Sequence, residues 1–205
     1  LRLAPTQGAE RRLSRVRALL DSESRQVDDQ VEAVVAMLLY DNKALGDIQA
    51  LLVQRAERTG DPWSGHMGFP GGRIKPSDTS RKGAVEREVM EEVGVDIARV
   101  GDLLGSLPAA FPWNRPEMKV QPFVYVLKAK PEIILGPEII HAFWIELSEL
   151  PKHLTKSEVQ TRTGPRQVES FLVDGRIVWG FTFRVLNEFL MIFGGPASVD
   201  TGDAR

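Results

Sequence analysis

The amino-acid sequence predicts an α/β fold with a mixed central sheet sandwiched by helices. Three observations point there. The run Val31–Tyr40 is too apolar for a surface element and has the length of a buried strand. Ser80–Val93 carries a helical period between a capping residue and a glycine. Further strand-like runs alternate with a few helices, without the strict repetition of βαβ units.

In chain order, Leu1–Ser22 is Arg-rich, but Glu10, Asp21 and Glu23 argue against a transit peptide, and Leu13, Val16, Leu19 and Leu20 recur at helical spacing. An amphipathic N-terminal helix and a polar link are expected over residues 1–29, ahead of a main domain at 30–194. After Val31–Tyr40, Asp41-Asn42-Lys43 marks a turn into a second strand, Ile48–Arg55. Thr59–Pro76 is dense in Gly and Pro and is expected to be irregular. The helix Ser80–Val93, with Asp78, Thr79 or Ser80 as N-cap and Gly94 as its stop, spans about 14 residues, or roughly 21 Å. Strands are expected at Gly101–Leu107, Lys119–Leu127, Ile139–Glu146 and near Val168–Val173, with a short helix from Leu147. Ile177–Pro196 is apolar, yet Arg184, Asn187 and Glu188 would be costly in hydrocarbon. It reads as a core helix, closing at Phe181–Phe193, rather than a membrane span. Gly195–Arg205, small and polar, reads as a frayed tail.

A length of 205 residues suits one large domain with extensions. With 26 Lys and Arg against 28 Asp and Glu, the net charge of −2 lacks the basic excess that tracking a nucleic-acid backbone requires. The absence of cysteine excludes disulfide frameworks, thiolate zinc sites, iron–sulfur ligation and a Cys nucleophile, and fits either redox setting. The hydrophobic share of 42% is that of a globular chain with a sizeable core. The expectation is a cytoplasmic monomer or homodimer with neither nucleic acid nor membrane as partner.

The chemistry concentrates in Arg87-Glu-Val-Met-Glu-Glu-Val-Gly-Val95. At about 100° per residue, Glu88, Glu91 and Glu92 share one face of the helix, beside an apolar stripe of Val85, Val89 and Val93. Like charges at these spacings repel by a few tenths of a kcal/mol per pair. The negative end of the helix dipole disfavours each by roughly 0.3 to 1 kcal/mol more. A hard divalent cation with oxygen preferences would relieve both penalties, whereas a solvated acidic face is the bland alternative. The glycine-rich Gly68-Phe-Pro-Gly-Gly72 just upstream favours the cation, because glycines let backbone approach a phosphate-bearing ligand closely.

The stretch Gly72–Val95 resembles the Nudix box: Gly, five residues, Glu, seven residues, then Arg-Glu-U-x-Glu-Glu-x-Gly-U, with U aliphatic. The second half matches throughout, at chance odds of roughly one in ten thousand or less for about 5% usage of each residue type. In the first half Gly72 stands one residue farther from Arg87 than the pattern has it, and Thr79 occupies the first glutamate position. The coenzyme A diphosphatase-like branch carries such an inserted residue, preceded by Phe-Pro-Gly-Gly and followed by an aspartate. Phe69–Gly72 and Asp78 match it, although Trp63, His66 and Lys75 differ from that branch's upstream pattern.

The resemblance, which covers roughly Val31–Phe193, implies a Nudix-type α/β/α sandwich that uses Mg²⁺ or Mn²⁺ to hydrolyse a nucleoside diphosphate linked to another moiety. With coenzyme A as substrate the products would be 3′,5′-ADP and phosphopantetheine. ADP-ribose, a nicotinamide dinucleotide or a dinucleoside polyphosphate are the substrates of the alternative reading, and a catalytically silent nucleotide-binding domain is the other. Glu88, Glu91 and Glu92 are the expected metal ligands, Arg87 orients them, and Glu138 is a further carboxylate from an opposite loop. Candidate substrate contacts are Arg55, Trp63, His66, Gly71, Gly72 and Arg115, with Phe111 and Trp113 as further aromatic rings able to stack or pack.

Overall fold

The strand that follows the N-terminal helix decides the architecture, because side chains on a strand alternate between faces. Val34, Ala36 and Leu38 point one way, Met37 and Leu39 the other, and all five are fully buried. The sheet must therefore be covered on both sides. The protein is described by a computed structural model covering residues 5–23, 30–60, 63–161 and 163–194. Most of the polar link and the tail Gly195–Arg205 lie outside the described residues.

In chain order the elements are α1 (Pro5–Glu23), β1 (Val31–Asn42), β2 (Asp47–Arg55), β3 (Met67–Gly68), β4 (Gly71–Arg73), α2 (Arg81–Val93), α3 (Ile97–Val100), β5 (Gly101–Ser106), β6 (Lys119–Leu127), β7 (Ile139–Glu146), β8 (Leu154–Thr161), β9 (Gly164–Val173), β10 (Arg176–Trp179) and α4 (Gly180–Phe193). Seven strands form one mixed sheet of order β3-β2-β1-β6-β5, with β4 joined to β1 and β7 to β2. Only β1 and β6 run parallel. β1 pairs with β2 at Leu39–Asn42 but with β4 at Ala33–Val35, so the sheet forks along one strand.

Helix α2 covers one face, burying Ala84, Val85, Val89 and Val93 against Val34, Ala36 and Leu38. Helices α1 and α4 cover the other, where Val16 and Leu20 meet Val185, Leu186 and Phe189. In α1 the buried stripe is Ala9, Val16 and Leu20 with Leu13 partly buried, while Leu19, included in the expected spacing, faces solvent. The arrangement is the expected α/β/α sandwich with a mixed central sheet. Among the described residues no helix is long and apolar enough to cross a membrane.

Several expectations need correction. Thr59–Pro76 contains two short strands, β3 and β4. Gly71 enters its pairing with Val35 at φ 153°, and a Cβ there would lie 2.3 Å from the Val34 carbonyl oxygen. The short helix is a single 3₁₀ turn, Leu150–His153, opened by a proline near its start rather than at Leu147. The strand at Val168–Val173 begins earlier, at Gly164, and belongs to a second sheet of order β10-β9-β8. Strand β8 was not expected because of its residues only Val159 is buried, so its sequence lacks apolar alternation. The apolar run from Ile177 starts as strand β10, turned back on β9 through Asp174 and Gly175 at φ 48° and 75°.

The covering helix α1 should contribute measurably to stability. Leu20→Ala is expected to destabilise the protein by about 2 to 5 kcal/mol, as for other buried leucines truncated in cores. A urea unfolding midpoint unchanged from the parent would show that α1 does not hold this face.

Candidate functional site

Helix α2 is defined locally at both ends. Ser80 accepts a hydrogen bond from the Gly83 amide at 3.0 Å, and Gly94 closes the helix at φ 69°. Beyond that cap, the chain leading to Glu138 supplies further partners to the last turn. The Ile134 amide donates to the Val93 carbonyl at 3.0 Å and the Gly136 amide to the Glu92 carbonyl at 2.9 Å. These bonds satisfy carbonyls that a helix end otherwise leaves unpaired. A Cβ on Gly136 would lie 2.1 Å from the Glu91 carbonyl oxygen, so this strap fits closely only as glycine.

The three glutamates of the helix meet different fates. Glu88 and Glu92 are buried, with 9% and 4% of their surface exposed, whereas the Glu91 side chain is 49% exposed. Glu88 lies against the backbone of Gly72, where a Cβ would stand 2.7 Å from its carboxyl carbon. Glu92 accepts the Gly71 amide at 2.8 Å and an Arg55 Nη1–H at 3.4 Å. Burial raises the Glu92 carboxyl to about 7; the Gly71 amide and Arg55 oppose the rise, and the charges of Glu88 and Glu138 add to it. The glycine pair thus serves both carboxylates, by clearance at Gly72 and by a donor at Gly71.

Arg87 binds Asp78 through two contacts of 2.8 Å, Nε to Oδ1 and Nη2 to Oδ2. Its Nη1 reaches Glu88 at 2.6 Å and Glu91 at 3.1 Å. Asp78 is held at about 2, first by Arg87 and next by the Lys75 amide. Asp78 closes a turn, Lys75–Asp78, that presents its carboxylate to Arg87 beside Thr79. Glu138, across the cavity from α2, pairs with Arg55 at 3.3 Å and Arg58 at 2.9 Å, and its carbonyl accepts the Ala56 amide.

A cavity of about 690 Å³ opens where the sheet forks, between β4, α2 and the start of α4. It gathers Glu88, Glu91, Glu92, Glu138, Arg55, Trp63, His66, Gly71 and Gly72, and Trp113 also reaches it. Arg87 lies behind the carboxylates. Arg115 does not line the cavity: it pairs with Glu117 at 3.1 Å and stands over the Trp63 ring at 6.0 Å. Phe111 is exposed, beneath Lys119. The partnership of Asp78 with Arg87, and site roles for Arg58, Gly136, Trp179 and Phe181, were not assigned from sequence. The Asp-Gly pair at 174–175 was a readable hairpin signal for the turn that delivers Trp179. No local pattern marks Arg58 or Gly136.

Among the described residues no three His, Asp or Glu groups converge into a metal cage. Glu91 is drawn toward Lys75 at 3.2 Å as well as Arg87. The donor set nonetheless suits a hard divalent ion, since Mg²⁺ is usually held by one or two carboxylates plus substrate phosphates. Glu88 and Glu92 supply those carboxylates, in a place where burial leaves Glu92 short of positive charge.

A carboxyl raised from 4.5 to about 7 binds its proton more tightly when folded than when unfolded. In chelator, stability should therefore fall as pH rises from about 4.5 to about 7 and level off above, by up to about 3 kcal/mol from this group. Glu92→Gln should remove that part of the decline and leave the variant more stable than the parent at pH 8. Identical pH profiles of the urea midpoint for the two proteins would contradict the burial argument.

Comparison with known proteins places these features in a family. The NUDIX domain matches residues 30–165, about two thirds of the chain. A probable nudix hydrolase of Schizosaccharomyces pombe is 31% identical over 130 residues, 62% of this chain and 45% of that protein. An uncharacterized protein of the same yeast is 32% identical over 133 residues, 58% of this chain and 40% of that one. The chain thus spans less than half the length of these curated relatives. Among solved structures, a bifunctional NMN adenylyltransferase/ADP ribose pyrophosphatase from Francisella tularensis shares the fold at a TM-score of 0.50 and 15% identity, over 92% of this chain and 48% of that one. With the domain match spanning β1 through β8 and the whole of α2, the chain belongs to the NUDIX domain family.

Proposed function

We propose that this chain hydrolyses the phosphoanhydride bond of a nucleoside diphosphate linked to another moiety, with coenzyme A or a derivative as the substrate and 3′,5′-ADP and phosphopantetheine as products. The observation that carries the hydrolase reading is the buried pair Glu88 and Glu92 set against Gly71 and Gly72 at one end of the cavity. Nudix hydrolases generally use divalent metal cations. Glu88 and Glu92 would hold Mg²⁺ or Mn²⁺, which would supply positive charge that makes phosphorus more electrophilic and water more acidic. Glu91 would join as a third ligand only on release from Lys75 and Arg87.

The residues of the chain do the rest. Gly71 and Gly72 let the diphosphate approach the backbone without a side chain intervening. Arg87, locked by Asp78, fixes the direction of the Glu88 carboxylate. Attack by water requires a carboxylate to take up its proton. Glu138 faces α2 from the opposite wall, where Arg55 and Arg58 steady it. Arg55 also stands within reach of the cavity as a counter-charge for phosphate. The branch reading, and with it coenzyme A, is supported by the Phe69–Gly72 segment and by Asp78 working as the partner of Arg87.

Glu88→Gln and Glu92→Gln are each expected to lower turnover by at least about a hundredfold while the fold survives. Near-parental turnover in both would remove these residues from the chemistry. Asp78→Asn, which weakens the bidentate contact and leaves the glutamates intact, should cost about ten- to a hundredfold. A panel of coenzyme A, ADP-ribose, a nicotinamide dinucleotide and a dinucleoside polyphosphate, with both products identified, tests the substrate. Efficient cleavage of another member with none of coenzyme A would retire the coenzyme A reading, and metal-dependent turnover of any would exclude a silent domain.

A further inference from the structure

The cavity has a second end that the carboxylates do not use. Away from α2 its wall is made of aromatic rings: Trp63 from the loop after β2, Trp113 from the loop between β5 and β6, and Trp179 and Phe181 from the junction of β10 with α4. Three of the chain's four tryptophans thus meet in one cavity. Trp179 and Phe181 lie beyond residue 165, where the family match stops.

These rings are held from outside. The guanidinium of Arg115 lies 6.0 Å from the centre of Trp63, that of Arg166 4.6 Å from Trp113, and that of Arg184 5.7 Å from Phe181. None of the three arginines lines the cavity. Trp179 packs against the His66 ring at 5.0 Å. Trp63 donates its indole N–H to Asn114 at 3.2 Å, which ties two of the loops together. Walls fixed in this way lose little freedom when a flat ligand docks. The segment carrying Gly71 and Gly72 connects the two ends, for the Thr182 hydroxyl donates to the Met67 carbonyl at 3.0 Å while Gly71 donates to Glu92.

We propose that the ringed end holds the nucleobase, with Trp179 and Phe181 as specificity-determining residues. The proposal rests on the hydrolase reading and deepens it by fixing the substrate's direction. The base lies toward α4, the diphosphate crosses Gly71 and Gly72 to reach Glu88 and Glu92, and the other moiety extends away from the rings. Every nucleobase has a π face that stacks on aromatic side chains. A sugar arm in the same place would turn its hydroxyls toward carbon and forfeit their hydrogen bonds to water.

The test uses the full chain without metal, with adenosine monophosphate and ribose 5-phosphate as probes in calorimetry and saturation-transfer NMR. Adenosine monophosphate should bind, with the strongest saturation on its base protons. Trp179→Leu should weaken that binding by about ten- to a hundredfold, Trp179→Phe should recover most of it, and ribose 5-phosphate should respond to neither. Equal losses for both probes, or ribose 5-phosphate binding the parent as tightly as the nucleotide, would overturn the proposal. So would competition by 4′-phosphopantetheine with the same dependence on Trp179, which would put the other moiety among the rings. If Trp179→Leu does not fold, the saturation pattern of the parent decides alone, and silent base protons would refute it. Because no turnover is measured, failure here leaves the hydrolase reading standing, and failure to hydrolyse any diphosphate leaves this result readable.

Discussion

Two carboxylates one helical turn apart, buried at the negative end of α2, set the constraint around which this site is built. Neither repulsion nor the helix dipole favours Glu88 and Glu92 there, and burial adds the larger penalty at Glu92. The surrounding chain answers in four places. Gly72 gives Glu88 room, Gly71 gives Glu92 an amide, Arg87 gives Glu88 a cation, and Arg55 gives Glu92 a more distant one. The helix that carries both carboxylates ends at Val93. That end is held by Gly94 and by the strap through Ile134 and Gly136, so the loop that brings Glu138 is also the loop that completes the helix.

The fork in the sheet turns this charged helix end into a pocket. Along one edge β1 pairs with β6 from Val31 to Tyr40, but along the other no single strand accompanies it throughout. Instead β2 leaves β1 after Leu39, and the short β4 takes over at Ala33–Val35, carrying the two glycines to the carboxylates. The remainder of the fold closes the other side. The second sheet enters the core through Phe171, Val173 and Val178, and it delivers α4, whose first turn forms the far wall of the cavity. Elements beyond the matched domain thus shape the ligand space without touching the helix glutamates.

How much of this could be read in the sequence follows from the range of the interactions involved. Helix α2 was legible apart from the choice of Ser80 over Asp78 and Thr79 as its cap, because its stop at Gly94, its apolar stripe and its acidic face are all set within 15 residues. The pair Glu88 and Glu92 was legible for the same reason, but the separate path of Glu91 was not, since Lys75 draws it from another part of the chain. Strand β8 escaped notice because a strand with one buried residue carries no alternation to detect. Strand β10 and helix α4 share one apolar run, and the positive φ at Gly180 divides strand from helix. Arg58 and Gly136 act on partners distant in sequence, and nothing in their own neighbourhood announces it.

The departure at Thr79 bears on whether the site is complete. Read as a pattern, a threonine in the first glutamate position removes a carboxylate and gives the silent-domain reading its support. Read as geometry, what Arg87 needs is a carboxylate in a fork-shaped contact, and it has one in Asp78. Aspartate is a methylene shorter than glutamate, and the Lys75–Asp78 turn brings this shorter side chain up to the guanidinium. An arginine so neutralised still has Nη1 left for Glu88, which is the contact that positions the buried pair. Gly71, Gly72, Arg87 and Asp78 thus stand in mutual register around two buried carboxylates whose repulsion they offset.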